Sequence, residues 1–149
     1  AAGLFGNFGQ TSYAAAKMGI VGFTRALALE GAKTNIKANV IAPMARTRMT
    51  EELAGDLAER LQPEKVSPLV AYLCHSSNEL TGQIFSVGAG RVARVGVGVG
   101  RGLTFPEPDV DRIAAQIDEV LAEQDLVFPS HIYEEMQLLL EPTATGGTS

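Results

Sequence analysis

Two short runs of strand-forming residues, separated by helical stretches, limit the folds open to this chain more than any other feature. Residues 35–42 (NIKANVIA) place Ile36, Ala38 and Val40 on one face and end at Pro43, while residues 82–87 (GQIFSV) are closed by Gly88-Ala89-Gly90. Ahead of the first run, the composition from Gln10 turns to Ala, Leu and other helix formers, with Thr11 and Ser12 able to cap and Gly31 as a stop. This predicts a helix over residues 12–30. Its Gly19 and Gly22 each lower helicity by roughly 1 kcal/mol relative to Ala, which close approach of a neighbouring element would offset. Between the two runs, Thr50 is placed to cap a helix with Glu51 and Glu52 in its first turn and Leu53, Leu57 and Leu61 along one side. A further helix carries Val66, Leu69, Val70 and Leu73, with Pro68 near its first turn. The order helix, strand, helix, helix, strand predicts an α/β fold: part of a doubly wound parallel sheet with crossover helices. Two parallel strands do not make a sheet alone, so further strands are expected from upstream residues or another chain.

The flanks read differently. Gly3-Leu4-Phe5-Gly6-Asn7-Phe8-Gly9 has a glycine every third residue, which predicts a loop rather than a helix. After Gly90, the glycines of GVGVGRG (96–102) fall at alternate positions and Phe105-Pro106 follows where a helix would be needed. A one-faced Val strand or loop is therefore expected, not a dinucleotide fingerprint. Residues 109–124 form an amphipathic helix with Val110, Ile113, Ala114, Ile117, Val120 and Leu121 on one stripe, expected to pack while its acidic face is solvated. Ser130 is placed to cap a last helix through Leu140, and the small, polar residues 142–149 are expected to be disordered. The domain reading is 1–90 for the sheet-forming part, 91–141 for a C-terminal extension with acidic helices, and 142–149 for the tail.

Composition narrows function by exclusion. The 149 residues carry 12 basic and 17 acidic groups for a net charge of −5, and no run of eighteen apolar residues occurs, so neither a nucleic-acid grip nor a membrane span is expected. One cysteine, Cys74, and two histidines, His75 and His131, cannot supply a disulfide framework or a four-ligand zinc site, so no metal is expected and the cytoplasm is the default compartment. Cys74-His75 reads as a buried thiol with an imidazole near a helix C-terminus. The charge is unevenly spread, at +5 over residues 1–50, −1 over 51–102 and −9 over 103–149, which marks a basic front suited to phosphate-bearing ligands. Arg91, Arg94 and Arg101 fit a solvated basic stretch better than a phosphate site. Ala1 is not a Met and no signal-peptide layout follows it, so the chain is expected to begin in mid-domain.

Tyr13-Ala14-Ala15-Ala16-Lys17 is the strongest chemical signal. At i and i+4 on a helix the two side chains share a face one turn apart. An ammonium beside a phenol favours the phenolate, so such a pair can exchange a proton with a substrate, and the lysine offers donors to a ribose. By spacing alone, a lysine stem lying along a half-buried tyrosine accounts for the pair equally well.

The surrounding residues carry more weight. GNFGQTSYAAAKMGIVGFTRALALEGAKTNIKANVIAP, and then PEKVSPLVAYLCHSSNELTGQIF, resemble the C-terminal half of the short-chain dehydrogenase/reductases over residues 1 to about 90. Within that family the chain is most similar to the D-specific 3-hydroxyacyl-CoA dehydrogenase domain of multifunctional β-oxidation enzymes, through GNFGQ before the Tyr, IAP followed by MARTRMT, LCH, and VGAG where most relatives have VDGG. The resemblance implies a Rossmann-like fold and an NAD- or NADP-dependent oxidoreductase acting on a 3-hydroxyacyl or 3-oxoacyl thioester. It makes Tyr13 the catalytic acid/base and Lys17 the residue that tunes it and binds the nicotinamide ribose. It places Pro43, Met44 and Thr47 at the turn that contacts the nicotinamide carboxamide, with Met44 standing where a glycine is common. Phe5, Asn7 and Phe8 fall where the family's substrate loop runs. The family's catalytic Ser would fall one position before Ala1, and its glycine-rich pyrophosphate turn further upstream, so this chain alone is expected to bind a dinucleotide poorly and to be inactive. The partners implied are a small acyl thioester and a second copy of the intact protein, with no nucleic acid and no membrane. The other reading is a non-catalytic dimerisation module, because the family's Tyr-Lys helix belongs to a four-helix dimer contact and Ala14, Gly19, Gly22 and Ala26 are small enough for close packing.

Overall fold

The computed structural model describes residues 1–46, 59–141 and 143. The helix expected from Thr50 lies outside the described residues as far as position 58, and Leu61, expected on its stripe, is in no helix, its carbonyl accepting from the Arg46 amide at 2.6 Å; the assignment of Thr47 and the expected tail apart from Thr143 also lie outside the described residues. The chain forms two compact units, Ala1–Val95 and Gly96–Ser149.

In the first unit a one-turn helix α1 (Ala2–Phe5) precedes the long helix α2 (Thr11–Glu30). The helical turn at Ala2–Phe5 corrects the loop expected there. Gly6 still breaks the chain at φ 76°, but the turn before it closes through Leu4 and Phe5 amides donating to the Ala1 carbonyl at 2.9 and 3.0 Å. Beyond α2, a 3-10 turn (Gly31–Thr34) leads into the strand β1 (Val40–Met44), which begins later than the sequence pattern indicates. The preceding residues are held by side chains as well as by backbone, the Gly82 amide donating to the Ala38 carbonyl at 2.6 Å. Asn39 donates to the Leu80 carbonyl at 2.7 Å and accepts from the Gln83 amide at 3.1 Å, and the Ala38 amide donates to Thr81 Oγ1 at 3.0 Å.

A 3-10 turn (Pro63–Lys65) precedes α3 (Ser67–Leu73), where Pro68 occupies the first turn and loses no intrahelical bond. Buried Asn78 then stitches the end of α3 to the next strand, donating to Leu73 O at 2.9 Å and accepting from Leu80 N at 3.0 Å. Strand β2 (Ile84–Gly88) pairs parallel with β1, as expected of a crossover connection. Strand β3 (Arg91–Val95) returns antiparallel on the other side of β2 and supplies the third strand from within the chain. The turn that joins them has Ala89 at φ 51° and Gly90 at φ 83°, both left-handed, which is the geometry of a two-residue hairpin.

Ile84 and Val87, 3% and 1% exposed, are three apart in a strand and so point to opposite faces. Both faces of this sheet are therefore covered, as a doubly wound sheet requires. Helix α2 presents Val21, Thr24 and Ala28 inward at helical spacing, and Ala28 Cβ lies 3.5 Å from where a side chain on Gly82 would begin. Gly19 and Gly22 meet nothing within 4 Å. The close neighbour expected to offset their helical cost is thus absent among the described residues.

In the second unit, α4 (Val110–Ala122) is capped by Asp109, whose carboxylate accepts from the Arg112 amide at 2.8 Å. The expected packing of its apolar stripe is not achieved within the described residues, since Val110 and Leu121 are 81% and 74% exposed. The alternating glycines have a local explanation. Side chains on Gly96 and Gly98 would come within 2.5 and 2.9 Å of the Phe128 ring, and Val99 bridges to Val127 beside it. This segment runs extended against a phenyl ring, in line with the strand-or-loop reading. The last helix, α5 (Ile132–Leu138), starts after His131 instead of Ser130. Ser130 lies one residue further out, and its amide and hydroxyl both donate to Glu134, at 2.7 and 3.0 Å. These bonds, the backbone one foremost, hold the Glu134 carboxyl below its ordinary value.

Candidate active site

Tyr13 lies in the first turn of α2 and Lys17 one turn later, and both point to the same side. The Lys17 ammonium sits over the Tyr13 ring, 5.4 Å from its centroid, and the tyrosine is 51% exposed. The expected shared face is present, and the cation stacks on the aromatic face. Among the described residues the tyrosine stays half open to solvent.

Topology sets which end of the sheet this pair occupies. The C-terminal end of α2 lies at the entry to β2, because Ala28 meets Gly82. Tyr13 is fifteen residues earlier, about 22 Å along the helix axis at 1.5 Å per residue. The pair therefore lies toward the carboxyl ends of β1 and β2, where open α/β sheets bind their ligands. Pro43 and Met44 close β1 at that same end.

Pro43 lines a cleft of about 470 Å³ together with Ala45, Pro63, Val66, Ser67, Val70 and Ala71. Its walls come from the end of β1 and from the start of α3 with the turn before it, and they are almost wholly apolar. Sequence reasoning picked out Pro43 here but missed the α3 wall, whose Val66 and Val70 read only as a helix stripe. Met44 does not line the cleft and is 47% exposed. It pairs in register with Gly88, and a Cβ on Gly88 would lie 2.4 Å from the Met44 carbonyl oxygen and 2.9 Å from its Cβ. Two of the departures from the resembled pattern, Met44 for Gly and Gly88 for Asp, thus face each other across one rung of the sheet. Phe5 is 71% exposed and Phe8 wholly so, while the Asn7 carbonyl accepts from the Gln10 amide at 3.2 Å. Phe5 ends α1, and Asn7 and Phe8 lie in the exposed connection between α1 and α2.

The remaining expectations resolve plainly. Cys74 is exposed, not buried, because α3 ends there at the surface, and His75 Nδ1 turns to Ser77 Oγ at 2.8 Å instead of toward the helix carbonyls. Arg101 is paired with Glu141, and its amide donates to Glu123 at 3.1 Å. No group of three metal-ligating side chains occurs among the described residues, and no described helix is long and apolar enough to cross a membrane.

Known proteins resemble this chain in sequence and in fold. Residues 1–58 match the model of the short chain dehydrogenase family. A short-chain type dehydrogenase/reductase of Mycobacterium tuberculosis is 49% identical over 120 residues, covering 79% of this chain and 42% of that protein. The peroxisomal hydratase-dehydrogenase-epimerase of Neurospora crassa is 59% identical over 97 residues, covering 64% of this chain and 11% of that protein. Over these stretches the chain is similar to the short-chain dehydrogenases. The structure of full-length peroxisomal multifunctional enzyme type 2 from Drosophila melanogaster superposes with a TM-score of 0.79 at 30% identity, covering 93% of this chain and 26% of that one. The chain spans less than half the length of the relatives it matches.

A nicotinamide dinucleotide is the cofactor this family implies. The described residues suit its nicotinamide-ribose end: an exposed ammonium and phenol at the carboxyl end of the sheet, and an apolar cleft behind Pro43. Among the described residues, no glycine-rich turn joins a strand to a helix N-terminus to receive the pyrophosphate.

Proposed function

We propose that the protein carrying this chain is an NAD- or NADP-dependent oxidoreductase interconverting a 3-hydroxyacyl and a 3-oxoacyl thioester, with coenzyme A as the thiol. On this reading the chain is the C-terminal half of the catalytic domain. The observation that carries the proposal is the Tyr13–Lys17 stack, toward the carboxyl ends of the parallel strands β1 and β2. Tyr13 Oη holds or receives the proton of the substrate oxygen, and Lys17 orients the phenol and offers donors to ribose hydroxyls. A bound nicotinamide supplies the hydride acceptor. The Pro43 turn, with Met44 and Thr47, would seat the carboxamide, and Phe5, Asn7 and Phe8 would meet the substrate. The thioester class is supported by relatives named as hydratase-dehydrogenase-epimerases and multifunctional enzymes. The cysteine count supports the cytoplasm, while the peroxisome in those names is the alternative that imaging of a tagged protein separates. The direct test is NAD(P) reduction by a 3-hydroxyacyl-CoA in the protein at its natural length. Turnover that disappears in Tyr13→Phe supports the proposal, and turnover that survives refutes it.

A second reading, a non-catalytic association module, is favoured by one specific observation. Ile20, Phe23 and Leu29 on α2 are 47%, 67% and 54% exposed, alongside the open Gly19 and Gly22. Light scattering addresses it: a monomer that unfolds cooperatively would contradict this reading.

A further inference from the structure

We propose that Gly3 is a positioning residue for the Tyr13–Lys17 pair, acting by letting the backbone of α1 seat directly on the stem of Lys17. The inference rests on the dehydrogenase reading for its catalytic meaning, but its physical content stands apart from that reading.

A side chain begun at Gly3 would lie 2.6 Å from Lys17 Cβ, 3.2 Å from the Met18 amide nitrogen and 3.3 Å from the Lys17 carbonyl carbon. These are root and backbone atoms of a twenty-residue helix. They cannot swing aside as a side-chain tip can, so any residue but glycine at position 3 must push α1 off α2 or turn Lys17 out of its place. Gly3 differs in this from the other glycines near the pair. Gly6 and Gly9 meet nothing and owe their identity to φ values of 76°, and Gly19 and Gly22 on α2 also meet nothing. The contact at Gly3 is a close approach of backbone to one particular side chain, and that side chain is the one whose ammonium lies over the Tyr13 ring.

The consequence reaches both partners of the pair. With the α1 backbone seated against Lys17 Cβ, fewer side-chain rotamers are open beyond it, which narrows where the ammonium can go. Fixing α1 also anchors Phe5 at its end and the exposed loop of Asn7 and Phe8, which leaves α1 at Gly6. One small residue therefore sets the lysine and the start of the loop ahead of the tyrosine together.

The experiment is side-chain NMR of Lys17 in the wild type, in Gly3→Ala and in Gly19→Ala as a control for the general cost of changing a glycine. In the wild type, the Lys17 ε-methylene protons are shifted upfield by the Tyr13 ring, and Tyr13→Phe, which keeps the ring, preserves that shift. Gly3→Ala is expected to abolish the upfield shift while Gly19→Ala keeps it. A folded Gly3→Ala protein with an unchanged Lys17 shift overturns the proposal. Should Gly3→Ala fail to fold, the same substitution is made with Lys17→Gly, which removes the Cβ it strikes. Recovery of a cooperative melt supports the proposal, and a protein that stays unfolded overturns it. Loss of the shift in Gly3→Ala, in a protein whose wild type lacks dehydrogenase activity, upholds the positioning role and refutes only the catalytic reading.

Discussion

Replacing Gly88 by alanine tests the rung that closes the candidate site. Gly88 is the last residue of β2, opposite Met44 of β1 and Arg91 of β3. An alanine Cβ there would stand 2.4 Å from the Met44 carbonyl oxygen and 2.9 Å from Met44 Cβ. Ordinary contact begins near 3.4 Å, so the strands must part by about 1 Å at this rung. Both colliding groups belong to the backbone or its first carbon, and no rotamer change relieves them. Overpacking of this kind costs about 1–3 kcal/mol. Losing the terminal ladder hydrogen bond adds about 0.5–1.5 kcal/mol, for a total of roughly 2–4 kcal/mol. In a unit of this size each kcal/mol moves the melting temperature by about 4–8 °C, so Gly88→Ala should lower it by at least about 8 °C. Thermal unfolding followed by circular dichroism gives the answer. A melting temperature within about 2 °C of wild type would show that Met44 and Gly88 do not approach as described, and the placement of the Pro43 turn would fall with it.

Other perturbations probe separate parts of the chain. Asp109→Ala should cost about 1 kcal/mol by leaving the Arg112 amide without its cap, read as lost α4 protection in hydrogen exchange. Glu134 is held below its ordinary value of 4.5 by its bonds to Ser130, so its contribution is complete above about that pH and is lost as pH falls through the folded value. The protection factor of the Ser130 amide, its exchange rate relative to an unstructured peptide at the same pH, should accordingly fall under acid, and Glu134→Gln should flatten that dependence. Gly96→Ala should destabilise the second unit by striking the Phe128 ring, and most of that cost should vanish in a Phe128→Ala background, with a coupling above about 0.5 kcal/mol in a double-mutant cycle.

What could be read from the chain beforehand divides along physical lines. Helix α2 was legible because a stretch rich in Ala, Leu and other helix formers ends at a glycine, a signal that needs no tertiary information. The parallel pairing of β1 and β2 followed from the helical stretches between them. The helical turn at Ala2–Phe5 was hidden because its glycine serves a contact with Lys17 fourteen residues away, and glycine spacing alone reads as a loop. Strand β3 was obscured by the run of valines and glycines it opens, and by a hairpin turn built on Ala89, a residue that rarely takes a left-handed conformation. Cys74 was taken for a buried thiol on residue-type preference, which has no access to the position of a helix end. At the site itself, the Tyr13–Lys17 juxtaposition was fixed by i,i+4 spacing. The cleft behind Pro43 required residues about twenty apart to meet, and no local pattern encodes that.

The central claim is that Tyr13 exchanges the proton of a hydroxyl that a nicotinamide oxidises. The most direct measurement is the rate of NAD(P) reduction by a 3-hydroxyacyl-CoA in the natural-length protein, wild type against Tyr13→Phe, with both confirmed folded by circular dichroism. A fall of about 10²- to 10⁴-fold in kcat on removal of the hydroxyl is the predicted result. An unchanged kcat, or a wild-type protein with no such activity towards any 3-hydroxyacyl thioester, would contradict it.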